Sequence, residues 1–176
     1  MYKRLLLIIA VATITLLSIR TIVRSFDWRN GITLYTHDLK IYNDDYLLHG
    51  NLGYELFQLG DLEGAKRELQ KSVELYPHAV TNYSNYCTVQ FIIGQKKNDK
   101  NLQQKGVDCY EKMITEFDQS TVYERLIIIL LRENDLDKAE RYTNRALKKY
   151  SDINSFHVYL AEIGKRKAAY LKNHKF

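Results

Sequence analysis

The chain has 176 residues, which is enough for one ordinary domain or for an anchor followed by a small repeat array. A formal net charge of +5 and a charged fraction of 27%, with both signs mixed, indicate a soluble helical surface and exclude a strongly basic chain. Eight glycines and one proline exclude β-rich and disordered classes, because both depend on frequent turn breakers. We therefore expect an all-α protein.

The N-terminal stretch is apolar and free of charge from Leu5 to Ile19. At about 1.5 Å per residue it spans roughly 22 Å, which is less than a hydrocarbon core of roughly 30 Å. Continuing to Val23 lengthens the run and includes Arg20, whose side chain can reach the headgroups. We predict a single membrane helix that forms an anchor over residues 1–24.

A cleaved signal peptide and a buried or interfacial helix are the two alternatives for this stretch. The only Ala-x-Ala pattern, Ala10–Ala12, lies in the middle of the apolar run and leaves too short an h-region. Basic residues flank both sides, with Lys3 and Arg4 before the run and Arg20, Arg24 and Arg29 after it. We favour a cytoplasmic N-terminus, which places the rest of the chain outside the cytoplasm.

Residues 27–44 read as half of a helical hairpin. Asp27 is predicted to cap a helix, with Trp28 at the level of the lipid headgroups. The segment that ends this helix, Asp38–Asp44, resembles two later segments, Ser72–His78 and Ala146–Asp152. We interpret it as the second helix of a repeat whose first helix is absent or is replaced by the membrane helix.

The next stretch predicts a complete helical hairpin over residues 46–79. Gly60 and Asp61 break a first helix, and Pro77 stops the second because proline lacks an N–H group. Apolar residues follow helical spacing on both sides of the break: Leu52, Leu56 and Leu59, then Ala65, Leu69, Val73 and Tyr76. A lone hairpin cannot bury both faces, so we expect copies beside it.

The copies are visible as a 34-residue spacing. Asn51 recurs as Asn85, and Gly60 recurs as Gly94. This unit resembles the tetratricopeptide (TPR) repeat, whose period is about 34 residues. The resemblance implies a solenoid of about three and a half hairpins over residues 25–176. Its complete repeats cover residues 46–79, 80–119 and 120–153, and a capping helix covers residues 154–172.

Two of the repeats depart from the pattern of the first. The second carries seven extra residues after Gly94, which predicts a longer loop or extended helix ends with exposed lysines. In the third, Asn134 replaces Gly60, and asparagine also tolerates a left-handed backbone. The C-terminal part of the capping helix is rich in basic residues. We interpret these charges as complementing the helix dipole. The alternative is that they contact an anionic lipid or an acidic partner.

The two cysteines, Cys87 and Cys109, fall on the two antiparallel helices of the second repeat. Two cysteines do not make a disulfide framework. We expect two buried thiols, with a disulfide between them as the alternative.

No catalytic constellation is recognisable in the sequence. The five histidines lie singly, without a partner at metal-ligand spacing. The glycines near Asp61 lack both the Walker lysine and the dinucleotide-binding spacing. We therefore expect no enzyme activity, cofactor, metal, small-molecule substrate or nucleic acid.

An interaction surface remains as the functional feature. In TPR superhelices the first helix of each hairpin lines the concave face, and the resemblance assigns partner-binding residues there. They are Asn51, Tyr54 and Gln58 in repeat one, Asn85 and Thr88 in repeat two, and Arg125 and Arg132 in repeat three. A side-chain amide both donates to and accepts from the backbone of an extended peptide. The alternative is that these amides hydrogen-bond between adjacent repeats.

The junction around Asp27-Trp28 is similar to that of polytopic membrane proteins with C-terminal TPR repeats, which are related to lipid-linked protein O-mannosyltransferases. That resemblance implies extracytoplasmic repeats that engage acceptor proteins. We thus expect a membrane-tethered, non-catalytic module that binds a protein or peptide. The alternative is a C-terminal or accessory segment of such a glycosyltransferase, although no transferase residue can be assigned.

Overall fold

The computed structural model describes residues 2–173, and every regular element in that range is helical. The expected all-α class is confirmed. The chain divides into two compact units, the first ending at Tyr76 and the second beginning at Pro77.

The first unit contains four α-helices and one 3-10 turn among its described residues. They are α1 (Tyr2–Ser25), the turn Asp27–Arg29, α2 (Gly31–Leu39), α3 (Tyr46–Gln58) and α4 (Leu62–Leu75). Helices α3 and α4 form an antiparallel hairpin, and α2 packs against α3. Helix α4 ends just before Pro77, because proline has no backbone N–H group to continue the helical hydrogen bonds.

Helix α1 is long, apolar and exposed. It has 24 residues, its most apolar window has a mean hydropathy of 2.3, and none of that window is buried in the protein. Its length of about 36 Å exceeds a hydrocarbon core of roughly 30 Å. The alternative of a helix buried in the protein core is therefore wrong. A membrane span and a signal sequence both fit this helix.

The helix after the junction begins later than the sequence pattern suggested. Asn30 has the extended backbone that an N-cap residue requires, and its side chain accepts a hydrogen bond from the Thr33 N–H at 2.9 Å. The backbone of Asp27 lies within the 3-10 turn, and its side chain is outside the described part of the chain. The N-cap of α2 is thus Asn30, and the prediction that Asp27 caps this helix was wrong.

The α3–α4 hairpin is closed by caps and by a close helix crossing. Ser72 on α4 donates a hydrogen bond to the carbonyl of Tyr46 at the start of α3, at 2.7 Å. A Cβ atom at Gly53 would lie 3.0 Å from the Leu69 nitrogen and 3.2 Å from the Ala65 carbonyl oxygen. Ala65 and Leu69 are fully buried at this crossing. The packing therefore requires small residues on both helices.

The second unit contains five helices among its described residues. They are α5 (Val80–Lys96), α6 (Lys100–Phe117), α7 (Ser120–Arg132), α8 (Leu136–Lys149) and α9 (Asn154–Asn173). Helices α5 and α6 form one hairpin, α7 and α8 form the next, and α9 packs on α8.

The hairpin turns share one local rule. A residue with positive φ ends the first helix, and the aspartate after it caps the second helix. The pairs are Gly60-Asp61, Asn98-Asp99 and Asn134-Asp135, with φ values of 83°, 50° and 60° for the first residue of each. Glycine and asparagine adopt this left-handed conformation at low cost. The prediction that Asn134 replaces Gly60 at the turn is confirmed.

Gly94 has a different role from Gly60, although the two lie 34 residues apart. It is buried inside α5, where an added Cβ atom would lie 2.4 Å from the Gln103 nitrogen on α6. The turn has moved to Asn98, because the seven extra residues lengthen both helices. Extended helix ends, rather than a longer loop, thus accommodate the insertion.

The two cysteines form a disulfide, so the expectation of two buried thiols is wrong. Their Cα atoms are 5.5 Å apart, which lies in the range that a disulfide requires. The physical reason is the close approach of α5 and α6. A Cβ atom at Gly106 would lie 2.6 Å from the Cβ of Phe91, so the two helix backbones meet there.

Helix α9 caps the α7–α8 hairpin. Its apolar side chains Phe156 and Ile163 are fully buried. Arg166 donates a hydrogen bond to the Leu131 carbonyl at the end of α7, at 2.9 Å. Lys167 pairs with Asp137 and Glu140 on α8. Arg166 and Lys167 thus hold the capping helix against α7 and α8. Lys175 lies outside the described residues.

Candidate partner-binding faces on the first helices

Helix α3 presents an exposed polar and aromatic stripe in the first unit. Asp45 caps the helix by accepting hydrogen bonds from the Leu47 and Leu48 N–H groups. The opposite side of the helix is buried through Leu52 and Gly53. The stripe consists of Leu47, Asn51, Tyr54 and Gln58, at steps of four, three and four residues, and all four are exposed. We call it the α3 face.

The side chains of the α3 face are available for contacts. Tyr54 is 47% exposed and Leu47 is 53% exposed. Asn51 has no side-chain hydrogen bond within the described part of the first unit. An aromatic ring beside an unpaired amide offers both apolar contact area and a donor–acceptor pair.

The matching stripe on α5 belongs to the second unit and is less exposed. It consists of Thr81, Asn85, Thr88 and Ile92, and we call it the α5 face. Thr81 is exposed, and the other three are half-buried. The Asn85 amide has no hydrogen-bond partner within the described part of this unit.

Tyr110 on α6 supports the α5 face from below, a role that its sequence position did not indicate. Its hydroxyl is buried, donates to the Ser84 carbonyl at 2.7 Å and lies 2.6 Å from the Thr88 hydroxyl oxygen. Burial raises the pKa of Tyr110, against the opposing effects of its hydrogen bonds and of the nearby Arg125 charge. Thr88 is thereby fixed in place, so its hydroxyl is partly committed to the protein.

Helix α7 contributes a cationic stripe, the α7 face, which consists of Arg125, Ile128 and Arg132. All three residues are exposed, and Ile128 is 43% exposed. Neither arginine has an ion-pair partner among residues 77–173. The adjacent Glu133 instead pairs with Lys100 at 2.9 Å, and this contact lowers the pKa of its carboxyl group.

The structure brings two of the predicted residues together. Thr88 from the α5 face and Arg125 from the α7 face both approach the Tyr110 hydroxyl. Asn51, Tyr54 and Gln58 lie together on one helix of the first unit. Tyr110 was missed because it lies on a second helix, and its signal is the large side chain at a position where the first repeat has Leu69.

Comparison with solved structures identifies the fold. YrrB, described as a TPR protein with an unusual peptide-binding site, aligns with a TM-score of 0.55 at 18% identity. The alignment covers 73% of this chain and 63% of that one. The fold is a TPR fold. MamA aligns with a TM-score of 0.62, and a MamA RS-1 ArsTM double mutant with 0.60, both at 18% identity. The alignment with MamA covers 78% of this chain and 77% of that one. The alignment with the double mutant covers 77% of this chain and 73% of that one.

The predicted resemblance to TPR repeats is therefore confirmed at the level of fold. No family model matches the sequence, and no curated protein matches it. The similarity to membrane proteins related to O-mannosyltransferases thus has no support beyond Asp27-Trp28 and its surroundings. The alternative of a glycosyltransferase segment stays a prediction.

Proposed function

We propose that this chain is a membrane-tethered, non-catalytic TPR module that binds protein partners on its first-helix faces. The observation that carries the proposal is the pair of amides, Asn51 and Asn85, which occupy equivalent positions and have no hydrogen bond within their own units. The peptide-binding site named for YrrB supports a peptide as the partner.

Each of the three faces, taken by itself, suits a bound peptide for a different reason. The amides can pair with a peptide backbone, since each both donates and accepts. Tyr54 supplies a ring against which a bound side chain can pack. Arg125 and Arg132 favour carboxylates or carbonyl groups, because a guanidinium is always charged and carries five donors.

The double change Asn51→Ala with Asn85→Ala is expected to weaken partner binding by roughly tenfold or more, since each amide contributes about 1 kcal/mol net. Peptides selected from a phage-displayed random library on the full-length protein serve as probes, and their affinity is measured by fluorescence anisotropy. Thermal unfolding of the double variant should match that of the parent.

A matched control uses Asn101 and Asn144, exposed asparagines on the second helices α6 and α8. Changing both to alanine should leave affinity unchanged. The alternative, in which Asn51 and Asn85 join neighbouring repeats, predicts lower stability and an unchanged affinity of the folded fraction. That outcome would remove the binding role of the two amides.

We propose the membrane tether from the apolar surface of α1 and from the hydrogen bonds of its threonine side chains. Hydroxyl groups inside a bilayer must be satisfied internally, because no water is present there. Thr13, Thr15 and Thr21 each donate to the carbonyl four residues earlier, at 2.9 Å. Together with the exposed apolar surface of α1, these bonds support a membrane span.

The full-length chain is expected to stay in the membrane pellet after carbonate washing, because α1 contributes a whole apolar span. Immunoblotting of pellet and supernatant measures this, and intact mass of the extracted chain checks whether α1 is still attached. Release of the full-length chain, or a mature chain without α1, contradicts the tether and leaves the peptide-binding proposal untouched.

We also propose that the repeats lie outside the cytoplasm. The Cys87–Cys109 disulfide supports this side, because reducing systems keep most cytosolic thiols free. Basic residues flank α1 on both sides and leave its orientation undecided, so this part of the proposal rests on the disulfide.

A further inference from the structure

A groove lies at the C-terminal end of α1, where this helix meets the 3-10 turn Asp27–Arg29. Its volume is about 420 Å³, and its described lining consists of Leu17, Arg20, Thr21, Arg24, Ser25 and Trp28. We call it the juxtamembrane groove. The described lining combines two cations, an indole ring and apolar carbon atoms, and none of these described residues carries a carboxylate.

Arg24 is held in place on one side of this groove. Its guanidinium nitrogens lie 2.6 Å from Asp38 Oδ1 and 2.9 Å from His37 Nδ1 on α2. The hydrogen bonds from His37 and Arg24 lower the pKa of Asp38, so this carboxylate stays ionised at neutral pH. The guanidinium carbon of Arg24 also lies 6.0 Å from the centre of the Trp28 ring. The Arg24 side chain is therefore held in one position at the edge of the juxtamembrane groove.

Arg20 lies one helical turn before Arg24 and differs from it in its contacts. It is exposed and has no ion-pair partner among the described residues. The hydroxyls of Thr21 and Ser25 donate to backbone carbonyls at 2.9 and 2.6 Å, so they offer only lone pairs to a ligand. Arg20 is thus the main uncommitted donor in the groove, and donors bind anions.

The depth of Arg20 in a bilayer follows from the length of the charge-free run, Leu5–Ile19. This run spans about 22 Å, which is less than the roughly 30 Å of hydrocarbon. Arg20 must therefore extend its side chain outward to reach the headgroup layer, where the indole of Trp28 is also favoured. The nearest anions at that depth are lipid phosphates.

We propose that the juxtamembrane groove binds the phosphodiester of an anionic phospholipid, with Arg20 as its principal donor and Trp28 beside the glycerol. An anionic headgroup is favoured over a zwitterionic one because the latter adds a cation next to Arg20 and Arg24. This inference rests on the proposed membrane tether. Free phosphate shares the same chemistry and is distinguished by experiment.

Trp28 is the only tryptophan in the chain, so its fluorescence reports on this groove alone. The full-length protein is reconstituted in phosphatidylcholine vesicles that contain brominated phosphatidylglycerol or, at equal mole fraction, brominated phosphatidylcholine. We expect stronger quenching by the brominated phosphatidylglycerol, corresponding to a preference of about fivefold for one basic residue. Arg20→Gln should abolish this preference.

Arg29→Gln is the matched control. Arg29 lies on the same side of the membrane and carries the same charge, but its guanidinium packs 4.6 Å from the centre of the Phe26 ring, outside the groove. The preference should survive this change. Equal loss in both variants would indicate a diffuse surface potential and overturn the site.

The remaining outcomes separate this inference from the tether. Equal quenching by both brominated lipids in the parent overturns the lipid site and leaves the tether intact. The absence of quenching by either lipid contradicts the tether itself. Loss of the preference on adding glycerol phosphate at millimolar concentration assigns the site to a soluble phosphate and overturns the lipid as ligand.

Discussion

Ala65→Glu is expected to destabilise the α3–α4 hairpin by several kcal/mol. Ala65 is fully buried where α4 crosses α3, and its carbonyl oxygen would lie only 3.2 Å from a Cβ atom at Gly53. A glutamate there has neither space nor a buried cation, so a charge is removed from water without compensation. Circular dichroism during heating measures the fall in melting temperature.

Ala169→Glu provides the same substitution at an exposed position of α9. Lys165 and Lys172 lie four residues before it and three residues after it, so the new carboxylate has favourable neighbours. Its melting temperature should change little, since exposed substitutions usually stay within about 0.5 kcal/mol. An unchanged melting temperature for Ala65→Glu would mean that the proposed hairpin register is wrong.

Reduction of the Cys87–Cys109 disulfide is expected to lower the free energy of unfolding by about 3 kcal/mol, as estimated from loop closure over a sequence separation of 22. For a chain of this size the melting temperature should fall by roughly 6–12 °C. The comparison is between the oxidised protein and the same protein in excess reductant, with unfolding followed by circular dichroism.

The double variant Cys87→Ala with Cys109→Ala is the control. It should melt at one temperature with and without reductant, which separates the disulfide from other effects of the reagent. Mass spectrometry after alkylation of the protein unfolded in denaturant without reductant should find neither cysteine modified. Modification of both would show free thiols and contradict the disulfide.

The repeat period predicted the start of the second hairpin well, because Val80 opens α5 34 residues after Tyr46 opens α3. It misplaced the turn that follows. Gly94 matches Gly60 in spacing, but the turn requires a left-handed residue followed by a capping aspartate. Asn98-Asp99 meets that requirement. A search for a residue that tolerates positive φ followed by a capping aspartate would have located this turn, whereas a search for a second glycine 34 residues after Gly60 did not.

The candidate faces follow from the resemblance to TPR repeats, which selects the first helices, and from helical spacing, which decides which residues share a side of a helix. The contacts that hold these faces in place from other helices could not be predicted in this way. Tyr110 reaches Thr88 from another helix, and the bond between the cysteines depends on how closely α5 approaches α6. The contact of Arg24 with Asp38 likewise joins residues of two helices. Such contacts depend on tertiary geometry, which the local pattern does not contain.

The disulfide also changes how the chain would carry mechanical load. In the proposed arrangement, with α1 in a membrane and a partner bound on α7, tension would be carried through the residues between those two points. Force that reaches Cys87 passes directly to Cys109 through the sulfur–sulfur bond, so the segment between the two cysteines, whose sequence separation is 22, cannot be extended. Fully extended, that segment would add about 75 Å. If the proposed tether holds, the disulfide in the α5–α6 hairpin limits how far the chain can extend under load.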